Sequence, residues 1–300
     1  MDKLRYWLAI IKAAARNWLD SNAFALAGSL AFFTLFSIAP VVIVIVSIIG
    51  FFFGEEAAQG QIVVQLQEVI GTEAATAVQN AVARSQLDTG GLWATVAGIL
   101  AMLLGATTVF GQMQTALNTI WGVVPKPSRN SIFLLLRKRL ASLTIVLAIG
   151  FVMLCSLSLS VALNALVRFT GDFLPWQETV MRGLEIGVSF LVITSLFAVI
   201  FKNLPDVRLT WKDVALGAVV TALLFTLGRS LIALYLTHTA TASTFGAAGS
   251  VVLLLLWVNY SSLILLFGAA FTRAHLEAEG RSITPRSVAV RVHRKLVEDD

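Results

Sequence analysis

Long runs of apolar residues alternate along the chain with short polar or basic connections. A helix needs about 20 mostly apolar residues to cross a hydrocarbon core of about 30 Å, because each residue adds about 1.5 Å along its axis. Six stretches meet this requirement, and they are Leu26–Phe53, Leu92–Ile120, Leu140–Val167, Val180–Phe201, Val214–Leu236 and Ala247–Phe271. The pattern therefore predicts an all-α, polytopic membrane protein with about six transmembrane helices.

The first 22 residues have a different pattern, in which apolar and basic side chains occupy two sides of one predicted helix. The apolar side has Leu4, Trp7, Leu8, Ile11, Ala14 and Trp18, and the basic side has Arg5, Lys12 and Arg16. Such a helix is typical of the headgroup region of a bilayer, with tryptophan at the interface. A packed helix of a soluble cap would look similar, and that alternative stays open. We assign residues 1–22 to an amphipathic interfacial helix and residues 23–275 to the transmembrane domain.

Lysine and arginine are distributed unequally between the connections. The basic segments are the amino terminus, the second and fourth connections and the C-terminal segment, with Lys3, Arg5, Lys12, Arg16, Lys126, Arg129, Arg137, Lys138, Arg139, Lys202, Arg208, Lys212, Arg273, Arg281, Arg286, Arg291, Arg294 and Lys295. Because positive residues mark the cytoplasmic side, we expect both termini to be cytoplasmic. Residues 276–300 are then a polar, basic cytoplasmic tail, and we expect it to be mobile after Glu279. Residues 54–90 are an acidic, helical insertion on the outer face.

Composition supports a membrane protein and argues against a nucleic-acid-binding one. Hydrophobic residues make up 57% of the chain and charged residues only 13%, and the mean hydropathy is +0.84. An average soluble domain is about half apolar and about a quarter charged. The net charge of +5 is explained by the cytoplasmic connections, so we expect no nucleic-acid partner. The single cysteine, Cys155, excludes an intramolecular disulfide.

Two charged residues lie inside predicted spans, Glu185 in the fourth and Arg229 in the fifth. These spans run in opposite directions, and each residue is about six to eight positions from the outer end, so the two lie at similar depth. Charges in a bilayer are costly and often mark a polar pathway. We predict a pair between the two, which serves either such a pathway or only the attachment of two helices. An Arg229 that extends to the headgroups is a further alternative.

Amides and small residues provide the remaining candidates. Asn118 and Asn259 lie within apolar spans and need hydrogen-bond partners there, so we place them in the same polar interior as the charged pair. Helix kinking and close packing are predicted at a second group of positions, which are Ser37, Pro40, Gly217, Gly246 and Gly249. A glycine-rich helix start at Gly246 could instead bind an anionic headgroup.

Catalytic signatures are missing from the sequence. His238, His275 and His293 are scattered, and neither a metal-ligand spacing nor a P-loop nor a GxSxG motif occurs. We therefore expect no enzyme activity, no cofactor and no bound metal. Membrane lipids are the expected partners, and a homo-oligomer stays open.

Four groups of residues carry a resemblance to a known family. They are residues 27–37 (AGSLAFFTLFS) with Pro40, residues 114–121 (QTALNTIW), Leu204-Pro205-Asp206 with Trp211 and Gly217-Ala218, and residues 245–250 (FGAAGS) with Leu256-Trp257. In this order they resemble the YihY/BrkB family of bacterial inner-membrane proteins. The chain departs from the family in having Phe32-Phe33 where a Tyr-Tyr pair is frequent, and Ala270 where a glutamate is frequent.

The resemblance implies an inner-membrane location and a transporter or exporter, with a lipid-like substrate from the cell envelope. A non-transporting scaffold for envelope assembly is the alternative. Some family members were once labelled ribonuclease BN. We expect no such activity here, because phosphodiester cleavage requires clustered metal-binding carboxylates or a histidine pair.

Overall fold

The described part of the protein is mostly helical. The computed structural model describes residues 3–37, 105, 108–126, 151, 177–238 and 246–292. Its elements are α1 (Lys3–Asp20), α2 (Ala23–Ser37), α3 (108–121), β1 (Val123–Pro125), α4 (Gln177–Asn203), α5 (Trp211–His238), α6 (Gly246–Ala278) and β2 (Ala289–Arg291). The elements α2 to α6 fall on five of the six predicted spans, and the predicted span Leu140–Val167 lies outside the described residues apart from residue 151.

Three described helices are long and apolar enough to cross a membrane, and they contain the segments Ile186–Asn203, Trp211–Leu231 and Leu254–Ala278. A fourth crossing is added if α1 and α2 are counted as one bent helix. The membrane character predicted from the apolar runs is therefore confirmed at α4, α5 and α6. The total of six and the orientation stay predictions.

The bend between α1 and α2 separates a charged helix from an apolar one. The two axes meet at 64°, and Asn22 adopts a left-handed φ of 54° at the turn. Asparagine tolerates this conformation better than most residues with a β-carbon. The amide of Ser21 still donates to the carbonyl of Asn17 at 3.0 Å, so α1 closes its last turn before the chain changes direction.

Prolines and glycines account for other helix ends. The helix α4 stops at Asn203, two residues before Pro205, because proline lacks an N–H group and restricts the residue before it. Gly280 follows α6 with φ 73°, and the next amide, of Arg281, donates to the carbonyl of Leu276 at 3.0 Å. This is the glycine-terminated end that leaves fewer carbonyls unpaired.

The antiparallel helices α5 and α6 pack closely through small residues. A β-carbon on Gly217 would overlap with Oγ1 of Thr272, and one on Gly268 would overlap with Oγ1 of Thr221. Each threonine hydroxyl donates to a carbonyl of its own helix, Thr221 to Gly217 at 2.6 Å and Thr272 to Gly268 at 2.7 Å. We call these four residues the Gly–Thr seam. Its reciprocal arrangement brings the two backbones close together without leaving a hydroxyl unpaired.

A small sheet interrupts the helical architecture, in contrast to the all-α expectation. Strand β1 pairs with β2 in antiparallel register, with Val124 opposite Val290. An isolated bridge joins Val207 to Pro285, and Ile283 and Ala289 are buried. Residues 281–292 therefore pack onto the protein, whereas the sequence predicts a mobile segment after Glu279.

Four basic segments meet at one end of the helices, which we call the basic end. They are α1, the turn after α3, the α4–α5 connection and residues 281–292. The largest fully buried side chains lie mainly in and around these segments, and they include Leu117, Ile120, Trp121, Phe201, Leu204 and Val207. These side chains form an apolar cluster at the basic end.

Candidate functional site: a buried carboxylate at the basic end

The α4–α5 connection brings an aspartate into the interior of the basic end. Leu204, Pro205 and Asp206 are all buried, and Asp206 is only 7% exposed. Because the chain bends at Pro205 and pairs at Val207 with Pro285, Asp206 is directed inward between α3 and the C-terminal segment. A carboxylate in this position requires hydrogen-bond donors.

Asn118 of α3 makes two hydrogen bonds with Asp206. Its Nδ2 donates to Oδ2 of Asp206 at 2.8 Å, and its Oδ1 accepts from the backbone amide of Asp206 at 2.8 Å. Asn118 is itself only 4% exposed. Gln114, one turn earlier on the same helix, donates through Nε2 to Oδ1 of Asp206 at 3.3 Å. We call Gln114, Asn118 and Asp206 the amide–carboxylate cluster.

The donors of this cluster are uncharged. In the part of the chain that the structure describes, no lysine or arginine forms an ion pair with Asp206. Amide donors satisfy the carboxylate oxygens without neutralising their charge, and a buried ion without a counter-charge costs several kcal/mol in free energy. The carboxylate is therefore stabilised mainly by the directed hydrogen bonds from the two amides. These hydrogen bonds weaken if α3 moves relative to the α4–α5 connection.

The C-terminal segment holds the other side of the connection. The backbone amide of Arg286 donates to the carbonyl of Asp206 at 2.8 Å. Its guanidinium donates to three further carbonyls, those of Lys202 at 2.9 Å, Asn203 at 3.3 Å and Val207 at 3.2 Å. A cation at the last carbonyls of α4 also opposes the negative end of the helix dipole.

A second arginine ties α3 to α6 and α1. Arg273 of α6 donates to the carbonyl of Ile120 at 2.7 Å and to Oδ1 of Asn17 at 3.4 Å, and it pairs with Glu277 at 2.9 Å. Gly122, with φ 65°, lies against this guanidinium, and a β-carbon there would come within 3.3 Å of Nη1. The end of α3 that presents Asn118 is thus fixed from two sides.

An ion pair joins the start of α5 to the C-terminal segment. Arg281 donates to Asp213, which is buried in the first turn of α5, and Asp213 also accepts from the amide of Thr210 at 2.7 Å. The hydrogen bond with Asp213 raises the pKa of Arg281 above its usual value. The pair anchors residues 281–292 at the start of α5, while Arg286 anchors them at the end of α4.

Comparison with known proteins identifies the family. The family model described as Virulence factor BrkB matches residues 14–291. The chain belongs to the BrkB family. A UPF0761 membrane protein of Mannheimia succiniciproducens is 27% identical over 260 residues, which cover 82% of each chain. A UPF0761 membrane protein of Haemophilus influenzae is 25% identical over 259 residues, which cover 85% of this chain and 90% of the relative. No solved structure matches.

Two of the sequence motifs on which the BrkB resemblance rests are in direct contact. Asn118 belongs to residues 114–121, and Asp206 belongs to Leu204-Pro205-Asp206. Their double hydrogen bond joins positions 88 residues apart in the chain. The motifs of this BrkB-family protein therefore meet in one buried site. Its departure from the family at Ala270 lies in α6, where that side chain is fully buried.

Several residues singled out from the sequence have described neighbours. Asn259 of α6 lies beside α2, with Nδ2 at 3.8 Å from a β-carbon placed on Gly28. Gln112 donates to Oγ of Ser29 at 2.7 Å, which ties α3 to α2 on a different side from Asn118. Ser37 is buried, and Gly217 lies in the Gly–Thr seam.

The pairing of Glu185 with Arg229 stays a prediction. Arg229 is half-buried in α5, and the side chain of Glu185 lies outside the described residues although its backbone belongs to α4. Pro40 is also outside the described residues. Gly246 begins α6 and Gly249 lies in its first turn, so the structure adds only their helical position.

Sequence reasoning missed Asp206 and Gln114 as site residues. Asp206 was visible as the carboxylate of a Leu-Pro-Asp connection between two apolar runs, but nothing in the local pattern distinguished it from an exposed turn residue. The signal that was available is the need of Asn118 for a partner. Asp206 is the carboxylate that the structure brings to it.

Proposed function

We propose that this BrkB-family membrane protein is a transporter or exporter of the bacterial inner membrane, with a lipid-like substrate from the envelope. In this proposal the chain crosses the membrane about six times, the basic end faces the cytoplasm, and the protein is not an enzyme and needs no cofactor. The observation that carries the proposal is the buried carboxylate of Asp206, which is held by two neutral amides.

A buried carboxylate stabilises a static contact poorly, because burial of its charge costs free energy. A neutral or apolar residue of similar size avoids the free-energy cost of removing a charge from water, and such replacements in protein interiors are often neutral or stabilising. A buried charge that has no charged partner among the described residues is therefore a candidate for a functional role. In a moving part, the same charge is useful because it regains hydration when the contact opens.

The amide–carboxylate cluster is suited to the role of a cytoplasmic gate. It joins α3 to the α4–α5 connection, and Arg286 adds the C-terminal segment on the other side. Beside the cluster, Trp121 and Phe201 are fully buried. In the proposed cycle, separation of Asn118 from Asp206 opens this end to the substrate, and their re-pairing closes it.

A non-transporting scaffold is the second candidate, and the Gly–Thr seam favours it. Overlapping small residues hold α5 and α6 at a fixed short distance, which suits a rigid platform. In this case the amide–carboxylate cluster fastens three segments and never opens.

Purified protein in vesicles separates the two candidates. The assay follows a headgroup-labelled fluorescent phosphatidylethanolamine in vesicles of phosphatidylethanolamine and phosphatidylglycerol, and reads its movement between leaflets with an impermeant quencher. We expect transfer above protein-free vesicles, and at least a tenfold change in its rate for Asp206→Asn. In that variant the side chain at position 206 keeps only one oxygen, so the donor of either Asn118 or Gln114 faces an NH2 group.

The exchange Asn118→Asp with Asp206→Asn is the matched control. It reverses donor and acceptor but retains the pairing, and the new amide at position 206 still offers an oxygen to Gln114, so we expect the rate to return toward that of the original protein. Transfer no faster than in protein-free vesicles would contradict lipid transport and leave the scaffold. Transfer that Asp206→Asn does not alter would contradict the gate.

A further inference from the structure

Helix α1 uses only part of its apolar surface to pack on the protein. Ile10 and Ala14 are buried against Phe271 and Ala274 of α6, and Trp18 donates through Nε1 to the carbonyl of Leu263 at 3.2 Å. The sequence pattern predicts one apolar face on this helix, with Leu4, Leu8 and Ile11 beside Ala14 and Trp18. The structure divides that face into a packed half and an exposed half.

The exposed half is a stripe of large apolar side chains. Leu4 is 71% exposed, Leu8 56% and Ile11 46%, and Leu19 continues the stripe toward the end of the helix. Their spacing of three, four and eight residues keeps them on one side of an α-helix. Exposure of such a stripe to water is unfavourable, because moving each of these side chains out of water lowers the free energy.

Positive charge runs along one edge of this stripe. At 100° per residue, Arg5, Lys12 and Arg16 follow the stripe around the helix on the side away from the packed face. Lys12 and Arg16 are both exposed. The order around the helix is therefore packed face, apolar stripe, basic edge, which is the arrangement of a helix that lies in a bilayer surface.

The position of α1 in the fold agrees with this placement. It packs on Phe271 and Ala274 near the end of α6, and Leu216 and Val220 near the start of α5 pack against the same cluster. Both spans have charged residues there, Arg273 in α6 and Lys212 in α5. The part of α1 with Ile10, Lys12 and Ala14 thus lies beside the basic end of α6, and Trp18 lies further along that helix, at Leu263.

We propose that α1 is a binding site for anionic phospholipids of the leaflet at the basic end. The stripe of Leu4, Leu8, Ile11 and Leu19 inserts between acyl chains, and Lys12 and Arg16 bind the phosphate-bearing headgroups beside it. Phospholipid suits the site better than a soluble protein partner, because the acyl chains cover the apolar stripe and the phosphates meet the basic edge in one ligand. The proposal rests on the membrane character of the chain and does not depend on transport.

Depth measurement tests the apolar part. In a Cys155→Ser background, Leu8→Cys and Ala13→Cys each receive an environment-sensitive fluorophore, and the labelled full-length protein is placed in nanodiscs with brominated or ordinary acyl chains. Both positions are exposed, but Ala13 lies on the other side of α1. We expect bromine to reduce the Leu8→Cys signal at least twofold and to leave Ala13→Cys nearly unchanged. Equal quenching of the two labels, or none, would overturn the proposal.

Lipid titration tests the basic part. Detergent-solubilised protein is titrated with phosphatidylglycerol or with zwitterionic phosphatidylcholine, and bound lipid is counted by native mass spectrometry. We expect Lys12→Gln with Arg16→Gln to weaken phosphatidylglycerol binding by about fivefold for each charge removed, with phosphatidylcholine unaffected.

The matched control for this titration is Arg208→Gln with Arg291→Gln, which removes the same charge from exposed positions outside α1. We expect it to retain most of the phosphatidylglycerol binding. An equal loss in both double variants would show that net charge alone attracts the lipid, and it would contradict a site on α1.

Discussion

The amide–carboxylate cluster and the Gly–Thr seam are two close contacts within the same bundle, and they are built on opposite principles. The cluster joins segments 88 residues apart through directed hydrogen bonds to one charge. The seam joins two consecutive helices through the absence of side chains at Gly217 and Gly268. Small residues allow van der Waals contact over a broad surface. The energy of this contact depends less sharply on distance and angle than the energy of a hydrogen bond does. In the cycle proposed above, the seam is the rigid part and the cluster is the part that separates.

Removal of the amide at position 118 should have the largest effect. Asn118→Leu leaves the carboxylate of Asp206 buried without its 2.8 Å donor, and we expect a loss of about 3–5 kcal/mol in the free energy of unfolding. Tryptophan fluorescence during titration of the mixed-micelle protein with a denaturing detergent measures this loss. The additional change Asp206→Leu removes the stranded charge and should recover much of the stability, and a double variant as unstable as the single one would contradict this account.

A methyl group in the seam should have the next largest effect. Gly268→Ala would overlap with Thr221 and come within 3.0 Å of Phe201, and overpacking of this kind costs about 1–3 kcal/mol. The matched control is Gly187→Ala in α4, where no atom of the described residues lies within 4 Å of the added carbon. There we expect unchanged or slightly higher stability, because alanine favours a helix over glycine. Equal losses at both positions would show that the seam has no special packing.

The cap that Arg286 forms on α4 should contribute less to the free energy of unfolding than the Gly–Thr seam does. Arg286→Ala removes the hydrogen bonds to the carbonyls of Lys202, Asn203 and Val207, for which we expect a loss of about 1–2 kcal/mol. Arg286→Lys retains the charge but not the planar fork, so its loss should be intermediate. Limited proteolysis of residues 281–292 provides a second readout. Cleavage that is no faster in Arg286→Ala than in the original protein would contradict an anchoring role.

The smallest expected effect is the coupling between the two regions. If the cluster can open while the seam stays closed, the losses from Asn118→Leu and Gly268→Ala should add, with a coupling free energy below about 0.5 kcal/mol. A double-mutant cycle on the unfolding free energies measures it. Coupling above about 1 kcal/mol would mean that the two contacts move together, and the comparison between a rigid and a separable part would fail.

The hydrophobic runs predict the positions of the described helices accurately, but they predict the ends of these helices less accurately. The predicted spans Val180–Phe201 and Val214–Leu236 differ from α4 and α5 by only two or three residues at each end. The last prediction ended at Phe271, seven residues before α6 does. The helix continues past its apolar part because Arg273 and Glu277 pair along it, and because Arg273 binds the end of α3.

The candidate site was predicted only in part. Asn118 was singled out because an amide in an apolar run needs a partner, and the small residues of the seam were visible as Gly217, Thr221, Gly268 and Thr272 in consecutive spans. Asp206, Gln114 and Arg286 were not predicted as site residues. Their roles depend on which distant segment each one meets.

The sequence by itself determined that this is a helical membrane protein, because the length and order of apolar runs are local properties that a bilayer imposes on any chain. Its motifs, and not those runs, carry the similarity to the BrkB family. Only the tertiary structure decided that Asp206 is buried against Asn118, that residues 281–292 form a strand and a helix cap, and that α1 leaves half of its apolar face uncovered. Hydrogen-bond partners and exposed faces depend on the approach of segments far apart in the chain, and periodicity along one segment does not encode that approach.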